Sequence, residues 1–182
     1  MLTTPRLVLR PFTDVDRAPF YELNCHPDVV ATIGPPPTRA ESDALTERFN
    51  AELAREGWGL WAVAAGPDFV GMVGLHRVPP DLPCAPAVEV GWRLHPDHWG
   101  RGYATEAAWT ALHHGFTTSG LDEIVAFTAT TNTRSQAVMA RLGMVRDPDG
   151  DFDHPDVPAG SPLRRHVLYR VTPSHLAPTV SP

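Results

Sequence analysis

From Val88 to Phe116 the chain reads VEVGWRLHPDHWGRGYATEAAWTALHHGF: a strand pattern, a glycine-bearing turn and a helix pattern. That order suits an anion. The first N–H groups of a helix have no intrahelical partner and the macrodipole is positive there, so phosphate oxygens can be held by main chain. Gly100 and Gly102 remove side chains that would keep a phosphate away. From Leu94 through Thr133 the only arginine is Arg101, so a diphosphate here is expected to lean mainly on backbone donors. Two further spots carry chemistry. Glu89 puts a carboxylate inside a strand, and Asn132 with Ser135 opens the later helix pattern NTRSQAVMARLGM.

Two common phosphate loops do not fit. A dinucleotide fingerprint needs a third glycine where Thr105 stands, and a nucleoside-triphosphate loop needs a lysine, of which the chain has none. WGRGYATEA, followed after the next strand by NTRSQAVMARLGM, resembles the GNAT acetyltransferases. More narrowly it is similar to the Rim-type branch, which acetylates N-terminal amines of ribosomal proteins and includes many enzymes of unknown acceptor. The resemblance runs from RLVLRPF to VLYRV. It implies that acetyl-coenzyme A is the cosubstrate and that the backbone of Arg101 to Thr105, within the loop Trp99, Gly100, Arg101, Gly102, Tyr103 and Ala104, cradles the diphosphate. It further implies that Trp92, Arg93 and Leu94 bond the pantetheine as a strand partner would, and that the thiol end points toward Asn132 and Ser135.

One departure concerns proton supply. Many relatives carry a tyrosine where this chain has Met139, which cannot protonate a leaving thiolate, so the role passes to Ser135. A coenzyme A thiol with a pKa near about 8.5 needs little more than a hydrogen bond to leave. Ser135 reads equally as a first-turn serine bonded to its helix backbone, and Asn132 as an N-cap. Glu89 reads either as the base that takes the amine's proton through water or as a structural charge. Arg93 lies on the same strand face, but about 13 Å along it, a long reach for direct pairing. The thioester carbonyl is expected to be polarised by a backbone N–H near Gly91 or Trp92. Glu106, in the first helical turn, and the histidines His95, His98, His113 and His114 read as structural or solvated, with no metal implied.

The elements that would position these residues follow from periodicity. RLVLRPF is a first strand. Thr13 and Asp16 imitate a helix opening, which Pro19 shifts later, and Thr38 with Glu41 caps a second helix. WGLWAVAAG and DFVGMVGLHRV form a hairpin, the proline-rich run 78–87 is a loop, and VEVGWRL is the fourth strand. A helix from Tyr103, a buried strand in 121–131, a helix opened by Asn132, a strand at MVRD, a loop over 148–162 and a strand at 164–171 complete the chain. Strands run together early and alternate with helices later, so the class is α/β (α+β). With the resemblance this gives a GNAT fold: a mostly antiparallel sheet of about seven strands flanked by about four helices, one domain over 1–172 and a tail over 173–182.

Composition narrows the partners. The net charge is −6 with no basic run, which argues against nucleic acid, and no apolar stretch nears the ~20 residues that span a bilayer. With no secretory signal pattern at the N-terminus, the expected location is cytoplasmic. Cys25 and Cys84 read as plain thiols. The expected activity is direct attack of a primary amine on the thioester, with a protein N-terminus as first acceptor and a small-molecule amine as second. A catalytically silent acyl-coenzyme A-binding module is the alternative, and pairing into a homodimer stays open.

Overall fold

The computed structural model describes residues 1–178. Its centre is an eight-stranded sheet in the order β1-β2-β3-β4-β5-β6-β8-β7. The strands are β1 (Leu2–Thr3), β2 (Val8–Arg10), β3 (Leu60–Ala65), β4 (Asp68–Arg77), β5 (Val88–Leu94), β6 (Ile124–Ala129), β7 (Val145–Asp153) and β8 (Arg165–Val171). Every neighbouring pair is antiparallel except β5 with β6. That parallel pair shares one point of register, Glu89 opposite Val125, and beyond it the strands part.

Helices α1 (Arg17–Cys25), α2 (Pro27–Ile33) and α3 (Arg39–Glu56) cover one face, where Phe12, Phe20, Leu23, Phe49, Leu60, Ala62 and Met72 form a core. The other face carries α4 (Tyr103–Thr117) and α5 (Thr133–Arg141), whose Ala107, Ala108, Ala111, Leu112 and Met139 pack on Val73, Leu75, Val88 and Val90. The alanine stripe lets α4 lie close to the sheet. A side chain added at Gly115 would sit 2.7 Å from Leu75 Cδ1, so the helix cannot approach this closely with anything larger there.

Most expected elements are present, and the differences have local causes. Thr13 opens only a 3-10 turn, and α1 begins at Arg17 with Pro19 inside its first turn, where a missing N–H costs nothing. Helix α2, absent from the expected elements, forms because Pro27 starts a helix and His26 Nδ1 accepts from Asp28 N at 3.2 Å. The Thr38–Glu41 capping box opens α3 as expected. The expected loop over 148–162 begins later, since β7 runs on to Asp153 with a register break between Asp147 and Phe152. After β8 the chain turns back, with Ala177 N bonded to Leu142 O and Trp109 Nε1 donating to Ala177 O. The remainder of the expected tail, 179–182, lies outside the described residues.

Candidate active site

The parting of β5 and β6 opens a cleft of about 910 Å³ bordered by the end of β5, the turn into α4, α5 and α2. Trp92, Arg93, Leu94, Trp99, Gly100, Arg101, Gly102, Tyr103, Ala104, Thr105, Asn132 and Ser135 all line it. The sequence singled out every one of these twelve, and the fold gathers them from three separate segments.

One strand edge in the cleft is unpaired. His95 N–H donates to Val70 on β4, and peptide groups alternate sides along a strand, so those of Val90, Trp92 and Leu94 turn toward β6. Leu94 O is taken by Trp99 Nε1 at 2.8 Å. With β6 diverging past Glu89, the Trp92 peptide group faces the gap with no strand partner.

The turn into α4 matches an anion cradle. Gly102 is its N-cap at φ +79°, a left-handed conformation that favours glycine. Among the described residues the backbone N–H groups of Arg101 to Thr105 make no backbone hydrogen bond, and the first helical bond joins Glu106 N to Gly102 O. Arg6 braces this turn: it bonds Glu106 through Nε at 2.6 Å and Arg101 O through Nη1 at 3.0 Å, and lies over the Tyr103 ring. Glu106 is thus structural, as expected. His98 Nδ1 is buried there with no hydrogen-bond partner among the described residues. Burial, aided by Arg101, holds that imidazole below its ordinary pKa and so neutral at pH 7.

Arg101, the one arginine between Leu94 and Thr133, is joined at the cleft by Arg93 of β5 and by Arg6, Arg134 and Arg141 from outside that motif. Arg134 reaches across it, its guanidinium 4.7 Å from the centre of the Trp99 ring. Sequence spacing within one motif could not show them.

Across the cleft, Asn132 caps α5: its Oδ1 accepts from Ser135 N at 3.2 Å and its Nδ2 donates to Thr128 Oγ1 at 3.1 Å. The amide is therefore committed at both ends. Ser135 Oγ has no hydrogen bond among the described residues, so the backbone-bonded reading of that hydroxyl is not the one observed. Met139 is 2% exposed, belongs to the core under α4 and does not line the cleft.

A second cavity of about 440 Å³ lies on the opposite side of β5, between α3 and strands β3 to β5. Leu45, Phe49, Trp58, Met72, His76 and Arg93 are among its walls. Glu89 is 8% exposed and borders neither cavity. Its partner is His76, directly opposite on β4, with Nε2 3.0 Å from Glu89 Oε2. Burial pulls the His76 pKa down, but the hydrogen bond and charge of Glu89 outweigh it and hold it above 6.5. Sequence reading missed His76. The signal was available, since His76 and Glu89 stand symmetrically about the loop closed by Val78 N to Ala87 O. Arg93 pairs with Asn24 of α1, not with Glu89.

Among the described residues no helix is long and apolar enough to cross a membrane. Residues 6–145 match the family model of the acetyltransferase (GNAT) domain. A relative from Aspergillus fumigatus, named FsC-acetyl coenzyme A-N(2)-transacetylase, is 32% identical over 94% of this chain and 75% of its own length. The uncharacterized N-acetyltransferase YoaA of Bacillus subtilis is 26% identical over 81% of this chain and 84% of its own. The solved acetyltransferase from Agrobacterium tumefaciens is 28% identical with a TM-score of 0.75, covering 93% of this chain and 92% of that one. RimL, a ribosomal L7/L12 α-N-protein acetyltransferase solved with coenzyme A, shares the fold at a TM-score of 0.76 and 14% identity over 93% of this chain and 95% of its own. The chain belongs to the GNAT acetyltransferase family and is an acyltransferase.

Proposed function

We propose that this enzyme transfers the acetyl group of acetyl-coenzyme A to a primary amine by direct attack, with the coenzyme in the larger cleft and the amine in the smaller cavity. The observation that carries the reading is the junction at β5. A strand edge left open by β6 faces one cavity, and His76, held by Glu89, lines the other.

Acetyl-coenzyme A would supply the thioester and the leaving thiol. The residues present fit it: free N–H groups at the start of α4 suit a diphosphate, and Arg6, Arg101, Arg134 and Arg141 add positive charge around them. Trp92 N–H, turned to the open edge, is the donor placed to polarise a carbonyl there. Gly91, the other donor expected from sequence, turns its peptide group toward β4. His76 lines the amine cavity and accepts the proton, and Glu89 holds the ring in position and stabilises the imidazolium that forms. His76 is thus the base and Glu89 its positioning partner. Ser135 Oγ donates to the thiolate as it leaves.

The cavity volume suits a metabolite-sized amine and equally the first residue or two of a peptide. The loop motif supports the protein N-terminus as acceptor. The N(2)-transacetylase named above supports a small-molecule amine as the second reading. Free-thiol release from acetyl-coenzyme A, measured with peptides of varied N-terminus and with small primary amines, tests the proposal. Amine-dependent release is expected, and binding of acetyl-coenzyme A with no amine-dependent release would refute it in favour of a silent module.

A further inference from the structure

Among the described residues Arg93 is the one cation that borders both cavities. It projects from β5 on the face shared with Glu89 and Gly91, because Met72 and His76 of β4 stand opposite Arg93 and Glu89. Its guanidinium bonds through Nη1 to Asn24 Oδ1, a neutral acceptor that is fully buried and fixed in turn by Asn24 Nδ2 donating to Phe20 O at 2.9 Å. Among the described residues no carboxylate comes within salt-bridge distance of it. The acids that line the smaller cavity are engaged elsewhere: Glu52 with Arg48, and Glu56 with Arg55 and Arg77. Glu89 is held by His76. Burial lowers the Arg93 pKa to about 10, so the group stays charged at neutral pH.

A half-buried cation whose one hydrogen-bond partner among the described residues is a neutral oxygen is costly to keep, and removing its charge by deprotonation is out of reach at pH 7. The phosphate end of the larger cleft does not need it, since Arg6, Arg101, Arg134 and Arg141 stand there. A planar fork with free N–H groups, clamped by Asn24 at the seam where amine and thioester meet, matches a carboxylate. The molecule's negative net charge opposes such a ligand only weakly, because exposed charges are screened within about 8 Å at physiological salt and Arg93 is half-buried between the two cavities.

We propose that Arg93 binds a carboxylate of the acceptor, so that the substrate is an amine with a carboxylate close to it, of the amino-acid class. This rests on the acetyl-transfer reading and narrows its acceptor.

The test uses the whole protein with saturating coenzyme A, and isothermal titration of N-acetyl-alanine, N-acetyl-serine and N-acetyl-ornithine, each against its C-terminal amide. The acids are expected to bind at least ~10-fold tighter than the amides, as a charge-assisted contact would give. Arg93→Met should bring that ratio to about one, and Arg93→Lys should keep part of it. Asn24→Asp places a carboxylate on the guanidinium without removing it, and should also erase the preference, which keeps the proposal testable if Arg93→Met does not fold. Equal binding within every pair, including none by either member, overturns the proposal. So does an acid preference that survives Arg93→Met, or a variant whose loss falls on coenzyme A affinity while the ratio stays. Thiol release with the matching free amino acids is read separately: acid preference without acetyl transfer would sink the acetyl-transfer reading and leave the carboxylate site standing.

Discussion

Gly102→Val separates backbone strain from loss of the anion cradle. Gly102 sits at φ +79°, where a residue with a β-carbon costs roughly 1–2 kcal/mol. An added Cβ would lie 3.4 Å from Arg6 Nη2, so valine's branches press on the guanidinium that braces Glu106 and Arg101 O. For a chain of 182 residues, at roughly 2–4 °C per kcal/mol, strain alone should lower the melting temperature by about 2–8 °C. Acetyl-coenzyme A at about 100 times its dissociation constant should stabilise wild type by ~2.7 kcal/mol, or roughly 5–11 °C. In Gly102→Val that ligand shift should nearly vanish. Gly57→Val supplies the control, because Gly57 has φ +75° with nothing within 4 Å of an added Cβ and ends α3 away from the cleft. It should melt earlier by a similar amount yet keep the full ligand shift. Differential scanning calorimetry with and without acetyl-coenzyme A reads all six melting temperatures. A folded Gly102→Val with an undiminished ligand shift would refute the assignment of the α4 turn as the diphosphate site.

Ser135→Ala should lower kcat while leaving acetyl-coenzyme A affinity nearly intact, because the hydroxyl's bond strengthens only as charge develops on sulfur; a loss confined to KM contradicts this. The pH dependence of kcat/KM should rise through the His76 pKa, which lies above 6.5, since the neutral ring accepts the proton. In Glu89→Gln, burial of His76 is no longer opposed by that carboxylate, so the acidic limb should move to lower pH and the plateau should fall by ~10²-fold or more for a strongly basic amine. Superimposable profiles would make Glu89 structural. The same linkage sets a stability signature: with the folded pKa raised, the contribution of His76 is fully present below pH 6.5 and is lost as pH rises through the folded value, and urea titrations across that window should show it shrinking in Glu89→Gln. Met139→Tyr should destabilise by about 1–3 kcal/mol without raising turnover, because the side chain is packed in the core rather than set in the cleft.

The sequence made the local features legible because each is written within a few residues. The Gly100–Gly102 turn, the Asn132 cap and the Thr38–Glu41 box are short-range patterns, and all stand where expected. Glu89 was visible as a charge inside a strand, but its partner depended on the β4–β5 register across a loop of ten residues, 78–87. Arg6, Arg134 and Arg141 reach the cleft only through sheet topology, and α2, with seven residues, is too short to show a helical periodicity. The second cavity, and with it the position of Arg93 between two spaces, arises from packing of α3 over the sheet and has no linear signature.

The central claim is that amine and thioester meet at β5 and react directly. Initial rates measured over a grid of acetyl-coenzyme A and amine concentrations test it, together with intact-mass analysis of enzyme exposed to acetyl-coenzyme A alone. Neither Cys25 nor Cys84 lines either cavity, so no thiol is placed to carry the acetyl group. Intersecting double-reciprocal lines and an unmodified enzyme mass are the predicted result. Parallel lines with a kinetically competent acetyl-enzyme would contradict the account.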